Sequence, residues 1–278
     1  MNPKIKTKIR FKVKGIVVAE CSNIITNVGL ASIASGGFPS NIAVGTGSQK
    51  EEASVTVLNR YKRQEKGTWY QEAKNKIDVE TNTITNIGTL KVSFPVESEN
   101  TIYTEVGIAN ADKNLYTYAL LRDSLGEISS VTVLKGERLE VEYTVSFSYP
   151  YAHQGEGSTL YLLGMPRIQD IPVNMDGGHH VGVYTGSNDA LVGGTAPTGN
   201  NYVEDAFWRK RADKLITGIP AFVNRPQIEV NGLYVYPTYA NDDYRRYTYC
   251  IAFDSPKKLP PEYTYECEAI LPYLLNKD

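Results

Sequence analysis

The sequence predicts a mainly β protein made of two tandem antiparallel β-sandwich domains, related by duplication, with one or two short helices. Three observations predict it. Tyrosine outnumbers phenylalanine 20 to 7 and falls in period-two runs with Thr and Val, which suit the pleated, half-buried surface of a strand. Helical periodicity is scarce. Three segments also recur in the same order along the chain, as expected of one supersecondary unit used twice.

The longest recurrence is Tyr116-Thr117-Tyr118-Ala119-Leu120-Leu121-Arg122-Asp123-Ser124, which returns in register at residues 247–255 with five identities. Before it, Ile42-Ala43-Val44-Gly45-Thr46-Gly47-Ser48 is echoed by Val181-Gly182-Val183-Tyr184-Thr185-Gly186-Ser187, each an apolar run entering a Thr-Gly-Ser turn. After it, residues 139–145 are echoed by residues 260–265, each built around Glu-Tyr-Thr.

The elements follow in chain order. The start is basic but leads into Arg10-Phe11-Lys12-Val13-Lys14, which alternates and lacks the apolar core of a signal peptide. Residues 26–34 suit a short helix capped by Thr26 or Asn27 and ended by Gly36-Gly37. Gly29 lets that helix lie close to a strand, and Gly45 and Gly47 supply the backbone angles of a tight strand exit. Residues 90–96 and 139–147 alternate apolar and polar, as strands with one wet face do. The first unit closes near Pro150. A polar, glycine-rich linker at residues 153–158 follows, so the domains are residues 1–152 and 157–278. The second carries an insertion at residues 187–201, an exposed and adaptable loop that Leu191 and Val192 are too few to hold by themselves. Residues 205–213 suit the second short helix. Leu233-Tyr234-Val235-Tyr236 and Tyr263-Thr264-Tyr265 return to strand alternation.

Charge and cysteine content narrow the function. With 29 Lys plus Arg against 31 Asp plus Glu, the net charge of −2 gives no general pull towards nucleic acid or an anionic membrane. Cys21, Cys250 and Cys267 are an odd number without metal-type spacing, which suits small, reduced core residues. No apolar run is long enough to span a bilayer. The expectation is a soluble chain made in the host cytoplasm, with no membrane insertion and no cofactor.

The segments Thr26-Asn27-Val28-Gly29-Leu30 and Ile42-Ala43-Val44-Gly45-Thr46-Gly47, followed by Glu105-Val106-Gly107-Ile108, together resemble the ordered TNxGL, IAVGTG and EVGI pattern of bacteriophage tail and tail-fibre structural proteins. Residues 139–147 resemble the closing strand of the same proteins. The resemblance covers the first half; in the second, only the Thr-Gly-Ser turn at residues 185–187 survives. It implies a virion building block, not a chemistry.

Candidate chemistry is sparse. Val44-Gly45-Thr46-Gly47-Ser48 lacks the Gly-Lys-Ser/Thr and the βαβ setting of a phosphate loop. Asp176, His179 and His180 could approach a metal, but adjacent strand residues point to opposite faces, and no metal or catalytic site is expected. Glu51-Glu52 and Asp242-Asp243 read as solvated loop acids in preference to glycosidase pairs. The basic, aromatic stretches at residues 59–63 and 208–211 read as subunit contacts in preference to nucleic-acid platforms, because Glu65, Glu204, Asp205 and Asp213 flank them.

The function expected is therefore a non-enzymatic component of a virion tail, collar or fibre, acting as a homo-oligomer with other virion proteins. Aromatic and Arg side chains give such contacts large area with a polar end. The interaction candidates are Tyr234, Tyr236, Trp208, Arg209, Arg211, Leu191, Val192, Trp69 and Tyr70. The alternatives are a carbohydrate module, in which Trp69-Tyr70 or the Tyr234 and Tyr236 face stacks on a host-surface glycan, and a capsid decoration protein.

Overall fold

A computed structural model describes residues 4–33, 39–71, 76–123, 127–163, 179–194, 197–198, 200–203, 207–211, 214–219, 229–237, 249–258 and 265–270. The chain is mainly β, in several antiparallel sheets with two short helices.

Period-two alternation builds the first sheet directly. Its strands are β1 (Lys4–Val13), β2 (Ile16–Cys21), β6 (Thr68–Gln71), β7 (Lys76–Asp78), β8 (Thr83–Val96) and β13 (Arg138–Pro150), in the order β2-β1-β13-β8-β6 with β7 also on β8. On β1, Ile9, Phe11 and Val13 are buried while Lys4, Lys6, Lys8 and Arg10 are exposed. On β13, every second residue from Leu139 to Tyr149 is buried.

The second sheet orders β3 (Ile24–Ile25), β11 (Thr117–Leu120), β10 (Glu105–Ala109), β4 (Asn41–Gly45) and β5 (Tyr61–Lys66) as β3-β11-β10-β4-β5. It packs on the first face to face: Ile42, Val44, Val106 and Ile108 share one buried cluster with Ile9, Phe11, Val92, Val141 and Phe147. Its central strands β10 and β11 are buried on both faces. Helix α1 (Asn27–Ile33) leads into β4, and a small pair, β9 (Thr101–Tyr103) with β12 (Val131–Val133), closes one end.

The second half has a six-stranded sheet. It orders β14 (Ala152–Gln154), β15 (Ser158–Leu162), β21 (Tyr249–Lys258), β20 (Glu229–Pro237), β16 (His179–Tyr184) and β17 (Asn200–Val203) as β14-β15-β21-β20-β16-β17. A three-stranded sheet follows, β18 (Phe207–Arg211), β19 (Lys214–Ile219) and β22 (Tyr265–Ile270), with β19 in the middle.

Part of the strand order of the first half recurs in the second, while β1, β2, β6, β9 and β12 have no counterpart among the described residues. β3-β11-β10-β4-β5 has the connectivity of β15-β21-β20-β16-β17, and β13-β8 with its hairpin strand β7 has that of β22-β19-β18. The first two sequence echoes fall on matching strands, β4 with β16 and β11 with β21. Their registers differ by one residue. Matching Gly45 with Tyr184 sets Glu105 against Gly232, whereas matching Leu120 with Ile251 sets it against Leu233. Of the third echo, only Tyr265 lies within the described residues.

Three expectations are corrected. Residues 205–213 supply a strand, β18, paired with β19 from Phe207↔Gly218 to Arg211↔Lys214, and the second helix is instead α2 (Asp189–Val192). The expected linker is a hairpin, in which β14 pairs with β15 and the Gly155 N–H donates to the Ser158 carbonyl at 2.8 Å. Its flanking Tyr149, Tyr151, Leu160 and Leu162 belong to the same core cluster as the first sandwich, which continues into Val183, Leu233 and Phe253. Within the insertion at residues 187–201, helix α2 is anchored: Leu191 is fully buried.

Candidate functional site

The motif residues fasten two places on the second sheet, the Tyr116 turn beside α1 and the start of β10 beside the loop that follows β4. Thr26 begins the construction. Its hydroxyl accepts the Gly29 N–H at 3.0 Å, capping α1, and donates to the Leu115 carbonyl at 2.6 Å. Gly29 has no room for a side chain: a Cβ there would stand 2.0 Å from the Tyr116 carbonyl oxygen.

Glu105 is the centre. It is fully buried at the start of β10, and a buried carboxylate needs donors. Oε1 accepts the Gly47 N–H at 3.0 Å and the Arg60 N–H at 2.8 Å. Oε2 accepts the Asn59 N–H at 3.2 Å and lies 3.2 Å from the Tyr118 hydroxyl. Burial, reinforced by the Glu105 charge, raises the Tyr118 phenol above its ordinary value.

Gly45 and Gly47 are crowded by this carboxylate and by the loop it holds. A Cβ on Gly45 would come within 2.4 Å of Oε1 and 2.5 Å of the Arg60 carbonyl oxygen, and one on Gly47 within 2.6 Å of Oε1 and 2.7 Å of Asn59 Cβ, and neither adopts the left-handed backbone expected of a tight strand exit. The loop so clamped carries Leu58, which is buried with Ala43, Leu115, Tyr118 and Leu120 on the outer face of the second sheet.

Two more acids fasten the rim. Glu51 accepts the Leu120 N–H at 3.0 Å and pairs with Arg122 at 2.5 Å. Glu97, 2 % exposed, takes Arg63 at 2.9 Å, the Thr101 hydroxyl at 3.1 Å and the Tyr103 hydroxyl at 2.5 Å, tying β5 to the end of β8. Burial and the Glu97 hydrogen bond raise the Tyr103 phenol. Glu97 and Glu105 are sealed inside with their oxygens occupied by protein donors, so what they do is hold a loop and a strand end in place.

Glu97 and Glu105 were not singled out by the sequence reading as site residues. The available signal was a lone Glu opening an otherwise apolar run, Val106-Gly107-Ile108-Ala109.

The expected interaction residues do not gather in one place. Trp69 and Tyr70 are adjacent on β6 and diverge: Trp69 packs on the core and its Nε1–H donates to the Pro39 carbonyl at 3.3 Å, while Tyr70 is exposed beneath Lys91 Nζ, 5.2 Å from its ring centre. Leu191 is withdrawn from the surface into a cluster with Tyr184, Cys250 and Ala252, against which Tyr234 packs, and Val192 is exposed. Trp208, Arg209 and Arg211 lie on β18 and Tyr236 on β20 opposite His180; their side chains are outside the described residues.

The other candidates separate likewise. His179 and His180 open β16, while Asp176 and Asp242-Asp243 lie outside the described residues. Glu51 turns to Arg122 and Glu52 to Lys50. Burial first, then the Glu51 charge, pushes the Cys21 thiol up to about 12, and burial raises that of Cys250, so both are protonated thiols at neutral pH. Among the described residues no three His, Cys, Asp or Glu side chains converge as a metal site, and no helix is long and apolar enough to cross a membrane.

No family model, curated protein or solved structure matches this chain.

Proposed function

We propose that this chain is a non-enzymatic structural component of a bacteriophage virion, part of its tail, collar or tail fibre, and that its halves are copies of one sandwich unit. One observation carries the reading. The three motifs that resemble phage tail proteins are spent on two buried fastenings of the second sheet, Thr26 and Gly29 on the Tyr116 turn and Gly45 and Gly47 on Glu105. Residues spent on fastenings of that kind specify a scaffold, and a scaffold acts through the surfaces it holds rigid. A virion presents such a surface many times under symmetry, so weak contacts add up.

The test is direct. Gradient-purified particles are dissolved and this chain is quantified against the major capsid protein by mass spectrometry, with an antibody label locating it by electron microscopy. The expected result is a fixed copy number per particle and label at the tail. Absence from purified particles overturns the proposal, and label spread over the head favours a decoration protein.

A further inference from the structure

Strand β2 is an open edge of the first sheet. It pairs with β1 on one side and has no neighbour on the other among the described residues, so a row of backbone N–H and C=O groups faces outward along it. Its side chains do not guard that row. Ile16, Val17 and Val18 are 67 %, 44 % and 50 % exposed, three consecutive β-branched residues of the kind that pair readily with another strand. The register with β1 slips between Phe11 and Lys12, and the extra residue of that bulge is Val18, one more apolar side chain.

The other strand edges are guarded by shortness or by charge, as edges of natural sheets are. β3 has two residues, β7, β9, β12 and β14 have three, and β6 and β17 have four. β5 carries Lys62, Arg63, Glu65 and Lys66, and β18 and β22 carry charged residues as well. A strand that covers β2 must itself offer a long, uncharged edge. Among the described residues, this chain has one such edge, and it is β2.

The strand is complementary to itself in side-chain direction and in charge. Ile16 lies opposite the buried Val13 and Ala19 opposite the buried Phe11, so both point to the core side, while Val17 lies opposite Lys12 on the solvent side. A two-fold axis between Val17 and Val18 sets Ile16 of each copy against Ala19 of the other, core side on core side, and Val17 against Val18. Ala19 and Cys21 already pack on the core cluster, so the joined strand continues an existing apolar row. Charge sets the direction. Antiparallel pairing brings each Glu20 to the Lys14-Gly15 turn of the other copy, whereas parallel pairing sets Glu20 on Glu20, which is unfavourable. Glu20 holds Lys8 and Arg10, and Lys14 holds Glu137, but a carboxylate has about four acceptor positions and an ammonium has further donors, so each can take the added contact.

We infer that β2 pairs antiparallel with β2 of a second copy of this chain, joining two first sheets into one across a two-fold axis. The pairing uses the one open edge of each copy and leaves none, so it closes at two. It is an addition of strand to strand, in which backbone hydrogen bonds supply affinity and the alternating side chains supply register. The inference names a surface that the virion reading does not, and it stands whether or not the chain is a virion part.

The test is sedimentation velocity of the full chain from about 1 to about 500 μM. The ladder is small beside a standard interface, so a dimer forming at about 10–100 μM is expected. Val17→Lys and Val18→Lys each place an ammonium at an exposed edge position, so the thermal transition is expected to stay unchanged while the dimer weakens roughly tenfold. Glu20→Lys is expected to weaken it less, and adding Lys14→Glu to recover it. Amide hydrogen exchange of the unaltered chain maps the contact independently: at high concentration, exchange slows at Ile16 to Glu20 and is unchanged on β5. A monomer at the highest concentration overturns the inference, as does growth beyond a dimer or slowing confined to other strands. A dimer that persists in both folded lysine variants overturns it too, and failure of Lys14→Glu to recover Glu20→Lys overturns the antiparallel direction.

Discussion

The Thr-Gly-Ser turn occurs once in each half, and comparing the two shows how one plan tolerates opposite chemistry. In the first half the turn leaves β4, and the following loop folds back over the sheet's outer face and plugs it with Leu58. In the second it leaves β16, and the following loop folds back and plugs the face with Leu191. The polar anchors differ. Gly45 faces Glu105 across β4 and β10, while Tyr184 faces Gly232 across β16 and β20. The large residue lies on β10 in the first half and on β16 in the second, and a glycine stands opposite each. A Cβ on Gly232 would stand 2.5 Å from the Tyr184 hydroxyl, as one on Gly45 would stand 2.4 Å from Glu105.

The loops are tied accordingly. Glu105 reaches its loop through three backbone N–H groups, whereas Tyr184 donates to Asn188 Oδ1 at 2.9 Å and Asn188 in turn donates to the Phe253 carbonyl at 3.1 Å. Charge holds one loop and a neutral relay holds the other.

The largest expected effect follows from that contrast. Glu105→Ala leaves those three N–H groups without their acceptor beside a void, and each buried orphan costs about 1–3 kcal/mol, so a total loss above roughly 3 kcal/mol is expected. Urea unfolding of the variant measures it. A loss under about 1 kcal/mol would mean that the loop is held by Leu58 alone and that the two anchors are not counterparts.

Gly232→Ala comes next. The added methyl would lie 2.1 Å from the Ile251 carbonyl oxygen, a backbone atom that moves only with its strand, so overpacking of about 1–3 kcal/mol is expected. The same substitution at Gly136, where nothing lies within 4 Å but φ is +85°, separates crowding from backbone strain. If both cost the same, the crowding on β20 by the Ile251 carbonyl and the Tyr184 ring is not what sets the cost.

Tyr184→Phe is the milder probe. It keeps the ring and removes one hydrogen bond, about 1 kcal/mol, and faster amide exchange at Leu191 to Gly193 with unchanged exchange at Val183 would localise the loss to the relay. Equal acceleration at both would show that the ring, not the hydroxyl, is the anchor.

These anchors also mark what the sequence could and could not disclose. The strands on either side of Leu90 and Val141 were legible because a half-buried strand writes its two faces into alternate residues. Residues 205–213 misled because Phe, Trp, Arg and Lys without Gly or Pro suit a helix as well as a strand, and pairing with β19 decides between them. Leu191 was read as loose because nothing local reveals that its loop returns to the sheet. Glu105 and Gly47 lie 58 residues apart, so their contact exists only once two strands are in register. Gly45 and Gly47 are visible as glycines, but what crowds them, Glu105 and the Asn59-Arg60 loop, is distant in sequence.

The smallest expected effect tests whether the two halves compared above are one body. His153 lies on β14, paired with Leu160 in the hairpin that joins them, and its Nε2 is buried without a hydrogen-bond partner among the described residues. Burial is the first cause that lowers its pKa below the ordinary 6.5. The sign follows from linkage: as pH falls through 6.5, the unfolded chain takes up the proton before the folded chain does, so stability falls until the lower folded value is passed and then levels. His153→Gln is expected to flatten that dependence between pH 7.5 and 5.5. Hydrogen exchange read at Val44 in one half and Leu233 in the other reports where the lost stability appears. Because Tyr149, Tyr151, Leu160 and Leu162 run through one core cluster, both sites should open together at low pH. Opening at Leu233 alone would show that the junction passes no cooperativity and that the halves, however alike in plan, fold apart.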